Sequence, residues 1–164
     1  MKMSERSIDI ALTQVEAGCG MDLLYENVCT LDSDPELCFN YATTHDLKSW
    51  GFAEGCFTCF LQDKKDVIIQ VITAYRHREG ANTAFQEDVD FLKKNDYGIP
   101  VKIRTLGEAS ILFKKKQSDG VTYNLLFQKN TIFAAISTKY KKDMADNVDN
   151  IVGLAEKIEQ KIPC

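Results

Sequence analysis

Six cysteines, two histidines and one short basic run are the side chains here that could do chemistry. The cysteines are Cys19, Cys29, Cys38, Cys56, Cys59 and Cys164. Their even number is compatible with a disulfide framework. The intervals of ten and nine residues between Cys19, Cys29 and Cys38 match no common metal-site spacing and suit disulfides better. Cytosolic proteins seldom keep such bonds. The cysteines therefore point either outside the cell or to thiol or metal chemistry within it. Cys56-Phe57-Thr58-Cys59 is a Cys-x-x-Cys. In a loop or at a helix start, that spacing joins two thiolates for redox exchange or for half a zinc site. On an extended strand, residues three apart point to opposite faces. Phe52, Phe57 and Phe60 make this stretch read as a strand. A metal on Cys56 and Cys59 would need Cys19, Cys29 or Cys38 to converge on them. The geometry favours a structural role, as buried thiols or disulfides. Cys164, at the end of the chain, reads as a free thiol, an intermolecular bridge or a staple for the last helix.

His77 lies in Tyr75-Arg76-His77-Arg78-Glu79, between a predicted strand and a predicted helix. Such connections often carry function, and Arg76, His77 and Arg78 together could form an anion site. The same charges also read as a solvated connector. His45-Asp46 is half of a His–carboxylate pair. No nucleophile-elbow serine accompanies it, and neither a phosphate loop nor a dinucleotide fingerprint occurs. The spacing predicts no catalytic residue and no cofactor; a metal on Cys56 and Cys59 is the alternative.

The elements that must position these groups sharpen toward the C-terminus. Residues 4–28 read as weakly helical: Ile8, Leu12 and Val15, then Met21, Leu24, Tyr25 and Val28 after Gly18 and Gly20. Residues 34–50 stay open between a helix start at Asp34-Pro35 and a short strand through Leu37, Phe39 and Tyr41. Residues 52–61 and 67–75 are predicted strands joined by a polar turn. The near-continuous apolar run of the second suggests burial on both faces. Ala81, Ala84, Phe85, Val89 and Leu92 predict a helix over 80–94, closed by Asn95-Asp96-Tyr97-Gly98. A short strand is expected at 101–105. Strands at 109–115, 121–128 and 131–138 follow, with Ser118-Asp119-Gly120 and Lys129-Asn130 as hairpin turns. The lysine triplet 114–116 sits where it could guard an edge. Met144, Val148, Ile151, Val152, Ala155, Ile158 and Ile162 predict a helix over 143–161.

The fold class expected is α+β: an antiparallel sheet with a three-stranded C-terminal meander, packed by amphipathic helices. The 164 residues suffice for a single domain, 1–164, with an acidic, cysteine-containing front section (1–45) and a sheet-and-helix core (46–164). The first 40 residues hold eight acidic side chains against two basic ones; the rest are nearly balanced. Without a concentrated basic face, nucleic acid is disfavoured as a partner. No run of about 18 apolar residues predicts a transmembrane segment. Ala17-Gly18-Cys19 has the small-small-Cys ending of a lipoprotein cleavage site, though Glu16 and the lack of a preceding apolar run depart from it.

Several pieces of residues 47–162 resemble an uncharacterised domain of archaeal surface and lipoprotein-type proteins. They are Leu47-Lys48-Ser49-Trp50-Gly51-Phe52-Ala53-Glu54-Gly55, Glu79-Gly80-Ala81 with Ala84-Phe85, Gly120-Val121-Thr122-Tyr123 running into Lys129-Asn130-Thr131-Ile132-Phe133, and Leu154-Ala155-Glu156-Lys157-Ile158. The general shape is similar to the PsbP-like sandwich, a fold used for binding and assembly. The resemblance implies a non-enzymatic binding or scaffolding domain, extracytoplasmic or membrane-anchored, with a protein or small-molecule partner. The alternative is a cytosolic thiol-redox or metal-binding protein using Cys56 and Cys59. A hydrolase using His45 or His77 is the third reading.

Overall fold

The computed structural model describes residues 6–33, 42–62 and 66–164. In chain order the elements are α1 (Ser7–Ile10), α2 (Gln14–Ala17), β1 (Asp22–Cys29), α3 (Thr44–Ser49), β2 (Phe52–Gln62), β3 (Asp66–Tyr75), α4 (Arg78–Lys94), β4 (Ile99–Val101), β5 (Ala109–Gln117), β6 (Gly120–Lys129), β7 (Ile132–Tyr140) and α5 (Asn147–Lys161). The described strands form one antiparallel sheet in the order β1-β2-β3-β7-β6-β5-β4. The class is α+β. The C-terminal meander pairs Gln117 with Gly120 and Lys129 with Ile132 across its two turns. Asn130 takes the left-handed conformation (φ 54°) that the second turn needs.

Strand alternation divides the core between two faces. On one, Cys56, Phe60, Ile72, Leu125, Phe127 and Ile136 lie under α1, α2 and the α5 stripe of Ile151, Leu154, Ala155 and Ile158. On the other, Phe52, Phe113, Leu126 and Phe133 meet Ala81, Ala84, Phe85, Val89 and Leu92 of α4, with Leu47 of α3 beside them. Thr43 begins α3 with a capping box: its hydroxyl accepts from Asp46 N at 3.1 Å, and Asp46 Oδ2 accepts from Thr43 N at 2.9 Å.

Four expectations are corrected. Residues 22–29 are a strand, not a helix. A bulge between Leu23 and Tyr25 breaks the two-residue alternation, so the apolar residues fall at helix-like intervals. Residues 7–17 form two single turns, in which Ile10, Ala11 and Leu12 are buried in succession while Val15 is 89% exposed. The short strand lies at Ile99–Val101 rather than 101–105, and Met144 is exposed ahead of α5. Leu37, Phe39 and Tyr41 lie outside the described residues.

The front segment is tied down by polar groups. The Gln70 side chain, fully buried on β3, accepts from Leu12 N (2.8 Å) and donates to Leu12 O (3.0 Å). Ser7 N and Oγ both donate to Glu54 Oε1. Lys161 donates to Ala11 O (2.9 Å) and to Glu16 Oε1 (2.5 Å), and Lys157 to Glu16 O (2.8 Å). Partial burial pushes the Glu16 carboxyl up, but hydrogen bonds from Lys161 and Thr13 outweigh it and hold it below the ordinary range. A carboxyl with a lowered folded-state pKa stabilises the fold above its unfolded value of about 4.3, and that contribution is lost as pH falls through the folded value. Lys161→Met is therefore expected to lower the urea midpoint more at pH 7 than at pH 3, where the bond to Ala11 O is still lost but the carboxylate contribution is reduced. An equal loss at both pH values would contradict this role.

α4 approaches α3 closely at Gly80, where an added Cβ would stand 1.8 Å from the Trp50 carbonyl oxygen. Gly80→Ala should destabilise by about 1–3 kcal/mol, the range for overpacking. Gly153 in α5 has nothing within 4 Å of such a Cβ, and Gly153→Ala should stabilise by roughly 0.5–1 kcal/mol. Urea unfolding of the two variants would show opposite signs.

Candidate functional site

The five described cysteines form no common cluster. Cys56 is fully buried on the α5 side of β2, sharing a face with Thr58, whose hydroxyl lies 3.5 Å from its sulfur. Cys59 lies on the opposite face, half-buried beside Ile69. Burial pushes both thiols up, the reverse of what a reactive thiolate or metal ligand needs. Cys29 is buried at the end of β1, and Cys19 and Cys164 are exposed. No disulfide joins any two of these five, which corrects the expected framework. Cys38 lies outside the described residues. Among the described residues no three metal-ligating side chains cluster.

The other candidates are surface groups. Arg76, His77 and Arg78 are exposed at the start of α4; Arg78 pairs with Glu108 at 3.0 Å, and no side-chain cap comes from His77. His45 is exposed in the first turn of α3. In the lysine triplet, Lys114 and Lys116 both pair with Asp143 (2.8 and 3.1 Å).

What the structure does offer is an incompletely covered sheet face. β3 is interior, yet only one of its faces is closed. Ile68 and Ile72 are buried under the α5 layer, whereas Val67, Ile69 and Val71 on the other side are half-buried. α4 packs against β6, β7 and β3, and on this face of β3 the buried residues are Thr73 and Tyr75. The result is a groove of about 160 Å³ between α4 and the sheet. Ile69, Val71, Leu126 and Ala135 line it from the sheet, and Phe91 and Leu92 from α4.

The groove changes character at Tyr97. This ring leans on Phe91, with centroids 6.0 Å apart and planes at 43°. Beyond it opens a polar mouth of about 440 Å³ lined by Asn95, Asp96, Tyr97, Lys115, Gln117, Thr122 and Asn124. The loop is shaped by left-handed backbone at Asp96 (φ 52°) and Gly98 (φ 112°). A Cβ at Gly98 would lie 2.2 Å from the Lys114 carbonyl oxygen. Lys115 Nζ reaches across to donate to Asp96 O (2.6 Å) and lies 3.5 Å from the Asp96 carboxylate.

Asn124 belongs to both sections. It sits in the middle of β6, opposite Ser137 on β7 and Phe113 on β5. Its Nδ2 is buried and has no hydrogen-bond partner. Buried polar groups are nearly always paired, and an exception calls for an explanation. Sequence reasoning missed this residue. The available signal was an asparagine, a poor strand former, between Tyr123 and Leu125 at the start of the apolar part of the strand.

A second opening, of about 430 Å³, lies on the opposite side, between α2, the ends of β2 and β3, and α5. Cys19, Met21, Tyr140 and Lys157 are in its walls. Lys157 is engaged with the Glu16 backbone, and no lining atom described there is a buried polar group left unpaired.

Fold and groove together define an α+β domain with helices on both faces of one antiparallel sheet, its edge strand β1 largely exposed and the β3 face beside α4 only partly covered. Among solved structures it is similar to the extracellular domain of PknH from Mycobacterium tuberculosis. The two are 10% identical over 96% of this chain and 97% of that one, with a TM-score of 0.63. An uncharacterised protein from Mycobacterium smegmatis aligns over 97% of this chain and 98% of its own, with 8% identity and a TM-score of 0.46. No family model and no curated protein matches the chain. The resemblance to archaeal surface domains and the PsbP-like sandwich rests on the sequence fragments alone.

Proposed function

We propose that this chain is a non-enzymatic binding domain that works outside the cytoplasm and holds its ligand in the groove between α4 and the sheet. The observation that carries the reading is the apolar, half-covered face of β3 ending at the unpaired Asn124 amide. Ligand sites are concave and mostly apolar, with a few polar groups to fix orientation. The extracytoplasmic location draws on the likeness to a domain described as extracellular and on the lipoprotein-type sequence resemblance. The absence of a disulfide between described cysteines does not support it. The thiol-redox and metal alternative is opposed by Cys56 and Cys59 facing opposite ways.

Titration with Nile red, an uncharged dye that brightens in apolar surroundings, tests the site. The wild-type protein should bind the dye saturably. Val71→Lys places a charge in the groove and should weaken binding at least tenfold, with an unchanged far-UV spectrum. Equal binding by the two proteins would sink the assignment. Location is tested with a membrane-impermeant maleimide on intact cells of the natural source. Cys19 and Cys164, the exposed thiols, should react without lysis, while buried Cys56 should react only after unfolding. Labelling of Cys19 and Cys164 solely in lysed cells would place the protein in the cytoplasm.

A further inference from the structure

We propose that the groove selects an uncharged amphiphile: an aromatic or branched apolar body ending in a carbonyl or amide oxygen that accepts from Asn124. This rests on the groove being the ligand site and adds the chemistry of what fills it. The apolar section, with Ile69, Val71 and Ala135 against Phe91, can recognise only shape and apolar surface. The polar information comes at the Tyr97 boundary. There Asn124 Nδ2 is a donor with nothing to donate to, and a side-chain amide nitrogen offers two protons. An oxygen acceptor at the end of an apolar body would satisfy it without leaving the groove.

The charges around the mouth argue against an ion. Lys115 is the one ammonium among the described lining residues, and it is already engaged with Asp96 through both the carbonyl and the carboxylate. Asp88 stands in the wall of the apolar section and Asp96 in that of the mouth. An anionic head would meet two carboxylates and compete for a committed lysine. A cationic head would be drawn to those carboxylates, but it carries no acceptor and would leave Asn124 Nδ2 unpaired. A neutral carbonyl meets neither objection.

Three probes with the same phenyl-alkyl body separate the cases: 4-phenyl-2-butanone, n-butylbenzene and 4-phenylbutanoate, each used to displace Nile red from the wild-type protein. The ketone is expected to displace at about five- to tenfold lower concentration than the hydrocarbon, the effect of one well-placed hydrogen bond. It should also outcompete the carboxylate at every salt concentration. Asn124→Leu should retain the dye and lose the preference for the ketone. Asn124→Asp, which exchanges the donor for an acceptor of the same size, should lose it as well and keeps the test open if the leucine variant does not fold. Equal displacement by ketone and hydrocarbon would overturn the acceptor role while leaving the groove as an apolar site. Strongest displacement by the carboxylate, weakening with salt, would overturn the uncharged class. If the dye does not bind, the groove assignment falls and this inference with it.

Discussion

Phe133→Ala is expected to destabilise the protein by about 3–5 kcal/mol, a large share of the roughly 5–15 kcal/mol that holds a domain together. Phe133 is almost completely buried near the start of β7, where it packs against α4. Its ring meets Phe85 of α4 edge-on, with centroids 6.4 Å apart and planes at 75°. Removing it costs the transfer free energy of a phenyl ring plus a cavity between two rigid layers that cannot close without moving the helix. The same loss should weaken Nile red binding, because α4 supplies Phe91 and Leu92 as one wall of the groove. Urea unfolding and dye titration on the same preparation would check both. A cost below about 1 kcal/mol would mean that α4 is not anchored through this contact.

Gln70→Leu is the second large effect, expected at roughly 2–5 kcal/mol. The side chain is fully buried on β3, and its amide closes both backbone groups of Leu12. Leucine is of similar bulk, so little cavity forms. The cost comes from two buried backbone groups stripped of their partners, about 1–3 kcal/mol each. Gln70→Glu should fare no better: it keeps an acceptor for the Leu12 N–H but removes the donor and buries a carboxyl. Limited proteolysis should show new cleavage near residues 10–20 in either variant, because Gln70 is the side chain that fastens Leu12 to the sheet. An unfolding midpoint within error of wild type, with no new cleavage, would contradict this role.

The sheet core was legible because its signals were local and repeated. The β-branched run of β3, the turn residues at Ser118-Asp119-Gly120 and Lys129-Asn130, and the five-residue stripe of α4 each specify their element without help from elsewhere. The front was not legible, because its structure is set from a distance. β1 is a strand through pairing with β2, and a bulge hides its alternation. Ile10, Ala11 and Leu12 are buried through the grip of Gln70, 58 positions along the chain. The groove escaped for a related reason. A near-continuous apolar run shows that β3 can be buried on both faces, but not that α4 is placed to cover only part of one.

The cysteines were the most visible chemical signal, and no disulfide joins any two of the five described. Cys56 and Cys59 obey the alternation of the strand that contains them, as the strand reading of that stretch required. The polarity on which the proposed site rests lies instead in Asn124, whose Nδ2 is buried without a hydrogen-bond partner.

The measurement that bears most directly on the groove is chemical-shift mapping of the isotope-labelled protein titrated with 4-phenyl-2-butanone. The expected result is a contiguous set of shifts at Val71, Phe91, Tyr97, Asn124 and Ala135, with the Asn124 side-chain amide among the largest. Shifts confined to Met21, Tyr140, Gly153 and Leu154, around the opposite opening, or no saturable shift at millimolar probe, would contradict it.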